Sequence, residues 1–343
     1  MLTKSSSGSE FVHPTHRFSK LQAPRLVLVV PVFNEASHIR QTLPQILETV
    51  RIEVQSLDGH AQVFLLAVDD GSKDRTRSAL TELAEQSNHI RFIGFTRNFG
   101  KESAIFAGLQ HAVDRLNADV VVVIDCDLQH PPKVVGTMWS EWRSGYQLVE
   151  AIKGDRGHEG LLRRFAAAFF YGTFSRSSGM ALAQDTDFKL LDREAVYLVL
   201  RLGERNRFFR GIVRWLGISS SRVMFDVEPR AAGASRWSTA ALARYAWRNV
   251  TAFSSAPLQI VTFLGAVGLV LGLILGFKAL SDKWFGNAVD GFTTVILLQV
   301  IFSSLILISL GVVGSYIAAI YDEIKQRPHY VLHPDDLEKI QGD

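Results

Sequence analysis

The chain has 343 residues, and its 37 Lys and Arg side chains against 34 Asp and Glu leave a formal net charge of +3. That length is enough for one large domain or two smaller ones, and so small a positive excess gives no independent case for nucleic acid as a partner. The only cysteine, Cys126, excludes an intrachain disulfide and a cysteine-based zinc cage.

Residues 1–24 are predicted to form a flexible tail. They are rich in Ser, His, Lys and Arg and contain no continuous apolar segment. A secretory signal peptide needs an apolar core of ~7–15 residues, so this segment is not expected to be one.

Strand-like and helix-like segments alternate from about residue 25 onward. Four runs rich in β-branched residues have the length of strands, namely LVLVVPV (26–32), VFLLAVDD (63–70), IRFIGF (90–95) and DVVVVIDCD (119–127). Helical patterns between them begin near Glu35, Asp74 and Lys101. This alternation predicts an α/β domain with a mostly parallel sheet and helices on both faces.

Carboxylates follow three of these strands. Glu35 comes after the first strand, Asp69 and Asp70 end the second, and Asp125 and Asp127 end the fourth. Ligands of open parallel sheets bind beyond the carboxyl ends of the strands, so we expect these side chains to share one rim. Each acid taken alone could equally cap a helix.

The Asp-x-Asp pair formed by Asp125 and Asp127 predicts a divalent metal. Two carboxylates within ~4–6 Å raise one another's pKa unless a cation lies between them. Hard oxygen ligands with room left for phosphate oxygens favour Mg²⁺ or Mn²⁺. His130 lies close to the pair but is interpreted as a loop residue, and Lys101 is interpreted as a helix-start residue rather than a ligand.

Two nucleotide-binding motifs are absent from the sequence. There is no Gly-x4-Gly-Lys-Ser/Thr loop, and no Gly-x-Gly-x-x-Gly follows the first strand. These absences disfavour a P-loop ATPase and a classical dinucleotide enzyme.

Two long apolar stretches near the C-terminus predict a transmembrane hairpin over 256–321. Residues 257–277 and 292–320 contain no charged side chain, and each stretch reaches the ~20 residues that cross a bilayer core. The alternative is a pair of buried helices in a soluble core. Arginines before the first stretch and Lys325 and Arg327 after the second predict, by the positive-inside rule, that both long ends are cytoplasmic.

Two further segments flank this hairpin. Residues 237–255 combine aromatic and basic side chains, which is typical of an amphipathic helix at the membrane surface. Residues 322–343 are predicted to form a cytosolic tail. Upstream, residues 163–174 alternate basic residues with a wide apolar face and suit either an ordinary core helix or an interfacial helix.

Successive motifs along the chain resemble those of family 2 glycosyltransferases with the GT-A fold. They are VVPVFNEA (29–36), VDDGSKDRT (68–76), TRNFGKESAIFAGL (96–109) and DCDLQHPP (125–132). DFKLLDREAV (187–196), RFFRGIVRWLG (207–217) and RAAGASRW (230–237) resemble the polyprenyl-phosphate glycosyltransferase branch, which includes dolichyl-phosphate mannose synthases and bactoprenyl-phosphate glucosyltransferases. The resemblance implies a Rossmann-like GT-A catalytic domain over 25–236, followed by two transmembrane helices.

The resemblance also implies roles for individual residues. Nucleotide-sugar binding falls on Pro31, Phe33, Glu35, Asp69, Asp70 and Asp125. Metal binding falls on Asp125, Asp127 and Gln129, catalysis on Asp127 and Asp187, and phosphate binding on Arg156, Arg230 and Arg236. Thr186 stands where many members have glycine, and Arg236 where they have lysine, so the identity of the sugar stays open.

The implied reaction moves one sugar, with inversion, from a nucleotide-diphosphate sugar of the UDP-glucose type to polyprenyl phosphate, undecaprenyl phosphate being the favoured acceptor. It implies Mg²⁺ or Mn²⁺ as cofactor, the cytoplasmic face of the bacterial inner membrane as the location, further copies of the chain as partners and no nucleic acid. One alternative is a processive or extending polysaccharide synthase, although residues 211–215 lack the glutamine of the Gln-x-x-Arg-Trp motif. The other is a non-catalytic membrane scaffold that binds nucleotide sugars.

Overall fold

The computed structural model describes residues 22–154, 186–204, 207–226, 256–285 and 291–336. The N-terminal tail predicted over 1–24 lies almost wholly outside these residues. The segments 163–174 and 237–255 lie entirely outside them.

The described residues contain the seven strands of one sheet: β1 (Arg25–Val32), β2 (Gln62–Asp69), β3 (Ile90–Gly94), β4 (Val120–Val123), β5 (Leu148–Lys153), β6 (Lys189–Asp192) and β7 (Ser220–Phe225). Their order across the sheet is β3-β2-β1-β4-β6-β5-β7. β1 is parallel to β2 and β4, β3 is parallel to β2, and β7 is parallel to β5. Only β6 among these strands is antiparallel to its neighbours. The prediction of a mostly parallel sheet is confirmed.

The helices of the described residues are α1 (Ile39–Leu57), α2 (Thr76–Gln86), α3 (Lys101–Asp114), α4 (Val134–Arg143), α5 (Arg193–Arg201), α6 (Phe209–Trp215), α7 (Ala256–Trp284) and α8 (Phe292–Ile324). α3 begins at Lys101, as predicted. α1 and α2 begin a few residues later than predicted, because the residues before them form loops at the rim of the sheet.

Alternate residues of the central strands contribute to two cores, one on each face of the sheet. Leu26, Leu28 and Val30 of β1 face the first core, which also contains residues of α1, α2 and α4. Val27 and Val29 face the second core, together with residues of α3, α5 and α6. Burial on both faces is what near-continuous apolar strands predict.

The fourth strand is shorter than predicted. β4 ends at Val123, and Asp125 and Asp127 lie in the loop that follows it. The N–H of Ile124 still donates to the carbonyl of Val29. Leu128, however, has a φ of 59°, a left-handed conformation that a strand cannot continue through. The two acids therefore stand beyond the sheet edge rather than within the sheet.

α7 and α8 are apolar along most of their length. Leu258–Lys278 and Leu298–Ile324 are each long and apolar enough to cross a membrane. No residue in the most apolar window of either helix is buried against the described part of the chain. Phe263 and Leu307, for example, are 67% and 68% exposed. Such outward apolar side chains disfavour the alternative of two helices buried in a soluble core.

The chain after α8 returns to the sheet. Leu332 pairs with Phe95 in an antiparallel bridge beyond the end of β3, and Asp336 is buried. The segment 322–343, predicted as a tail, therefore includes residues that pack on the folded domain.

Candidate active site

The predicted rim is formed where β1, β2 and β4 end side by side. Val32 at the end of β1 is paired with Asp69 at the end of β2, and Val29 is paired with Val123 at the end of β4. Because the three strands are parallel, the loops that follow them emerge at the same sheet edge. The structure thus brings together the acids that the sequence placed after three separate strands.

The loop after β1 is tied to the loop after β2. Asn34 has a φ of 55°, and its side-chain oxygen accepts the N–H of Lys73 at 2.8 Å. The N–H of Asn34 donates to Ser72 Oγ at 2.8 Å, and that of Glu35 to Thr76 Oγ1 at 2.9 Å. These bonds fix the backbone on which the predicted nucleotide-binding residues stand.

The side chains predicted to bind the nucleotide sugar differ in exposure. Phe33 is 37% exposed, Pro31 and Glu35 are partly exposed, and Glu35 Oε2 lies 2.9 Å from Nε2 of His38. Asp69 and Asp70 are buried. Phe33, Pro31 and Glu35 are therefore open to a ligand, whereas Asp69 and Asp70 face the protein.

Asp70 anchors the loop between β3 and α3. Its carboxylate accepts the N–H of Phe99 at 2.7 Å, the N–H of Gly100 at 2.9 Å and the side-chain amide of Asn98 at 2.9 Å. Burial raises the pKa of Asp70 to about 6, although these backbone N–H groups stabilise the ionised form. Its neighbour Asp69 accepts the N–H of Ser72 at 3.0 Å, and burial raises its pKa as well. Asp69 and Asp70 therefore hold the loops of the rim in place through hydrogen bonds from the protein side.

Lys101 forms ion pairs with two acids, Asp125 and Asp187, at the centre of the site. Its Nζ lies 2.7 Å from Oδ1 of Asp125 and 2.9 Å from Oδ2 of Asp187. Burial opposes charge on all three groups, but their attraction prevails: the pKa of Lys101 is raised and the pKa of Asp125 is lowered. The Lys101 side chain is still 42% exposed, so solvent screens part of this attraction.

Asp187 lies between two cations. Besides Lys101, Arg210 donates from Nε to Oδ1 at 2.6 Å and from a terminal nitrogen to Oδ2 at 3.1 Å. Burial by itself raises the pKa of the Asp187 carboxyl, but Lys101 and Arg210 outweigh burial and hold the pKa well below its usual range. Asp187 is therefore a fixed negative charge rather than a proton donor near neutral pH.

Glu102, which is partly buried, adds a third acid beside this cluster. It accepts the N–H of Phe209 at 2.9 Å. Burial, together with the negative charge of Asp187, raises its pKa to about 7. Glu102 therefore titrates in a range where Asp187 does not.

Thr186, which stands where the family pattern has glycine, fixes the backbone next to Asp187. Its hydroxyl donates to the carbonyl of Ala151 at 2.6 Å and accepts the N–H of Phe188 at 3.2 Å. Thr186 is buried, so these bonds satisfy its hydroxyl. The substitution has a structural role in this chain.

The loop after β4 presents hard oxygen donors. Asp127 Oδ1 accepts the N–H of Gln129 at 3.1 Å, and both side chains are partly exposed. The described residues contain no group of three His, Cys, Asp or Glu side chains able to hold a metal. Mg²⁺ in proteins commonly takes one or two carboxylates and completes its shell with substrate phosphates and water. Asp127 and Gln129 fit that pattern, whereas Asp125 already has one oxygen on Lys101.

His130 is a structural residue of this loop. It is buried, and its ring stacks on Phe188 with 5.0 Å between the ring centres and meets Phe225 at 5.8 Å. Its Nδ1 faces the N–H of Asp125 at 3.4 Å. Burial lowers the pKa of His130, which favours the neutral ring. These contacts agree with the interpretation of His130 as a loop residue rather than a ligand.

Sequence reasoning missed two members of the cluster. Lys101 was interpreted as a helix-start residue, and it does begin α3, but its side chain also reaches two acids from different loops. Arg210 belongs to the stretch RFFRGIVRWLG, whose resemblance to the polyprenyl-phosphate branch was the only available signal. The phosphate-binding residues Arg156, Arg230 and Arg236 lie outside the described residues, and their roles stay predictions.

Comparison with known proteins places the chain among sugar transferases. A sequence model described as glycosyl transferase family 2 matches residues 27–196. The SfII prophage-derived bactoprenol glucosyl transferase of Shigella flexneri is 36% identical over 310 residues, which cover 90% of this chain and 97% of that protein. The prophage bactoprenol glucosyl transferase homolog of Escherichia coli K12 is 35% identical, over 90% of this chain and 98% of that protein.

A solved mannosyltransferase structure also shows a partial likeness to this chain. The mannosyltransferase PcManGT from Pyrobaculum calidifontis, in complex with GDP-Man and Mn²⁺, is 17% identical, with 84% of this chain and 87% of that chain covered and a TM-score of 0.40.

Proposed function

The chain belongs to glycosyl transferase family 2, in the branch of the bactoprenol glucosyl transferases, and on that premise we propose that it moves one glucose from UDP-glucose to polyprenyl phosphate. The observation that carries this proposal is the convergence of Asp125 and Asp187 on Lys101, beside the oxygen donors Asp127 and Gln129. Relatives named bactoprenol glucosyl transferases support the choice of sugar and of a polyprenyl acceptor.

The proposed acceptor lies in a membrane that α7 and α8 cross. Their length and apolar composition support such a crossing. The basic residues at the flanks support a cytoplasmic position for the rim, by the positive-inside rule. A nucleotide sugar and a lipid phosphate then meet on the same side of the bilayer.

The proposed reaction needs no strong base. The lipid phosphate is already anionic near neutral pH, so its oxygen attacks the anomeric carbon directly. A bond forms between that oxygen and the anomeric carbon, while the bond from the carbon to the diphosphate breaks and its electron pair leaves with UDP. Attack opposite the leaving diphosphate inverts the configuration of the sugar.

The main difficulty is electrostatic, because two phosphorylated groups must approach each other. At ~4 Å, two unit charges of like sign repel by ~4 kcal/mol at an effective dielectric constant of ~20. Lys101 and Arg210 present N–H donors at the rim, and Asp187 holds both in place. We assign Arg156, Arg230 and Arg236 to the phosphates as well, because a guanidinium group can donate two parallel hydrogen bonds to a phosphate.

A divalent cation fits the loop after β4 on its donor chemistry. Asp127 and Gln129 would hold it, and Asp125 would contribute its oxygen that does not face Lys101. When bound, Mg²⁺ or Mn²⁺ stabilises the charge that develops on the departing diphosphate.

The test is an assay on membranes that contain the protein, supplied with undecaprenyl phosphate and a panel of labelled UDP-glucose, UDP-galactose and GDP-mannose. The proposal expects labelled lipid from UDP-glucose, formed with Mg²⁺ or Mn²⁺ and lost with EDTA. The matched control is membrane with the Asp127→Asn variant, which should give no labelled lipid. Absence of lipid product from every donor would refute the transferase proposal, and repeated addition of sugars would favour the processive alternative.

A further inference from the structure

The residues that follow α8 lie along the edge of the sheet. Residues 330–336 form a segment that we name the C-terminal strap. β3 is an edge strand. Next to it, the N–H of Thr96 donates to the carbonyl of Val331 at 3.0 Å, and the N–H of His333 donates to the carbonyl of Gly94 at 2.8 Å. Edge strands present unpaired backbone groups, and an added extended segment satisfies them. The C-terminal strap therefore pairs with the main chain at the end of β3 through one antiparallel bridge.

An ion pair between buried Asp336 and partly exposed Arg77 holds the end of the strap. Asp336 is 1% exposed, and its two oxygens accept from the two terminal nitrogens of Arg77 at 2.9 Å each. The same carboxylate accepts the N–H of Gly94 at 2.8 Å. A Cβ on residue 94 would lie 2.6 Å from Arg77 Nη1, so glycine leaves the space that the pair occupies. Two parallel bonds between a guanidinium and a carboxylate fix geometry as well as charge.

Tyr330 connects the strap to the loop 95–100, between β3 and α3. Its ring stacks on Phe95 with 4.9 Å between ring centres and 17° between ring planes. Phe95 in turn meets the edge of Phe99 at 5.7 Å. The hydroxyl of Tyr330 donates to Gln110 of α3 at 3.0 Å. The strap thus contacts both the residue that begins the loop and the helix that follows the loop.

The same loop carries groups of the candidate active site on its other side. The N–H of Phe99 donates to Asp70, and the next residue but one is Lys101, whose ammonium contacts Asp125 and Asp187. A shift of the aromatic stack would move this backbone, and misplacement by ~1 Å can cost ~10²-fold in rate.

We propose that the C-terminal strap positions the loop 95–100 for catalysis, with Tyr330 and Asp336 as positioning residues. The kinetic part of this inference rests on the proposed transferase function. Only residues 325–329 separate α8 from the strap. At ~3.3–3.6 Å per residue, Tyr330 lies within about 20 Å of Ile324, so the loop is also tethered to the end of an apolar helix.

A strap that only stabilised the fold would have a different kinetic signature. Loss of folded molecules lowers kcat and leaves the KM of each substrate unchanged, whereas a displaced loop changes binding on its own side of the site. Asp70 anchors this loop to the end of β2, and the loop after β2 is bonded to the loop that carries Phe33 and Glu35, which are open to the donor. Loosening the strap should therefore raise the KM of the donor and leave the KM of the lipid acceptor unchanged.

The experiment compares Tyr330→Ala and Asp336→Asn with the wild-type chain, in full length and in lipid nanodiscs. Tyr330→Phe keeps the stacked ring and serves as the conservative variant. Asp335→Asn is the matched control, because Asp335 adjoins Asp336 in sequence but its side chain is 70% exposed, so solvent screens its contacts with Arg77 at 3.6 Å and His333 at 3.3 Å. The readouts are amide hydrogen exchange, measured without any substrate, and steady-state kinetics with UDP-glucose, Mn²⁺ and undecaprenyl phosphate.

Both disruptive variants should speed exchange at 95–100 about tenfold, equivalent to ~1.4 kcal/mol of lost protection, while exchange in β1 stays at the wild-type rate. The KM for UDP-glucose should rise in both disruptive variants, whereas Tyr330→Phe and Asp335→Asn should behave as wild type. Unchanged exchange at 95–100 in Tyr330→Ala, or an equal increase throughout β1, would overturn the proposal. If Asp336→Asn does not fold, the exchange rate at 95–100 in Tyr330→Ala alone tests the proposal. If the wild type turns over no UDP-glucose, the transferase proposal fails, and the exchange comparison still tests the strap.

Discussion

Lys101 and Asp125 form an ion pair at the rim of the sheet, with 2.7 Å between Nζ and Oδ1. The sequence predicted that a divalent cation offsets the charge of the Asp-x-Asp pair, but the protein already supplies a cation to the first of these acids. Asp127 and Gln129 are the partly exposed oxygen donors that the loop offers besides Asp125. A metal held by Asp127 and Gln129 would then share Asp125 with Lys101, each cation on a different oxygen of that carboxylate.

Replacing Lys101 tests the role of this ammonium. Lys101→Met should lower kcat about 10²–10³-fold, the range typical of removing one preorganised electrostatic group, because Asp125 and Asp187 lose the positive charge they share. Lys101→Arg should keep part of the activity. The measurement is steady-state transfer to undecaprenyl phosphate by purified protein.

The control for this prediction is Arg51→Met. Arg51 pairs with Glu48 on α1, and its side chain is 42% exposed, as is that of Lys101. This variant removes an equally exposed cation away from the rim and should keep full activity. Wild-type kcat in Lys101→Met would remove Lys101 from the site.

Asp127→Asn tests the metal role apart from turnover. The variant should weaken Mn²⁺ binding in the presence of UDP by at least about 100-fold, since even outer-shell partners of a metal contribute ~10–100-fold. Electron paramagnetic resonance of free Mn²⁺ measures this affinity. The exposed Asp114→Asn serves as control and should bind Mn²⁺ as wild type does. Equal affinity in Asp127→Asn and wild type would exclude Asp127 as a ligand.

The pH dependence of stability should reflect Glu102. Its pKa is raised from 4.5 to about 7, so between these values the folded protein keeps a proton that the unfolded chain has released. Stability therefore falls as the pH rises through this interval. Glu102→Gln should make that fall smaller, because the amide keeps an acceptor for the Phe209 N–H without titrating.

Thermal unfolding in detergent from pH 4.5 to 7.5 measures this effect. Glu85→Gln, at an exposed position of α2, should keep the wild-type slope. The same slope in Glu102→Gln as in wild type would contradict the assignment of the proton to Glu102.

Two arginines outside the described residues remain to be tested by function. Arg230→Ala and Arg236→Ala should each lower transfer strongly, because each removes a predicted phosphate-binding group, while the protein stays folded and membrane-embedded. Arg40→Ala breaks an exposed pair with Glu82 and should have little effect. Full activity in either variant would remove that arginine from the proposed site.

The rim itself could be predicted from the sequence because it follows from local rules. Apolar runs of strand length identify the strands, and the acids after them must meet at one edge once the strands are parallel. The position of Asp125 and Asp127 after a buried strand is therefore readable without the structure. The residue at which β4 ends was harder to predict from the sequence, because the residue with the left-handed conformation in the following loop is a leucine rather than a glycine or asparagine.

The contacts that complete the site could not be predicted in the same way. Lys101 reaches Asp125 and Asp187 across loops far apart in sequence, and local pattern only marks it as the start of a helix. Asp336 sits in a polar stretch that predicts an exposed tail, whereas its partner Arg77 is 259 residues away. Such pairs are decided by how the chain packs, which periodicity does not encode.

Transfer of a single sugar is tested by the mass of the lipid product that the purified wild-type protein forms from UDP-glucose and undecaprenyl phosphate with Mn²⁺. The expected product keeps the phosphate and gains one hexose, at a rate that Asp127→Asn reduces to background. A lipid bearing two or more hexoses, or no glycosylated lipid from any nucleotide sugar, would contradict it.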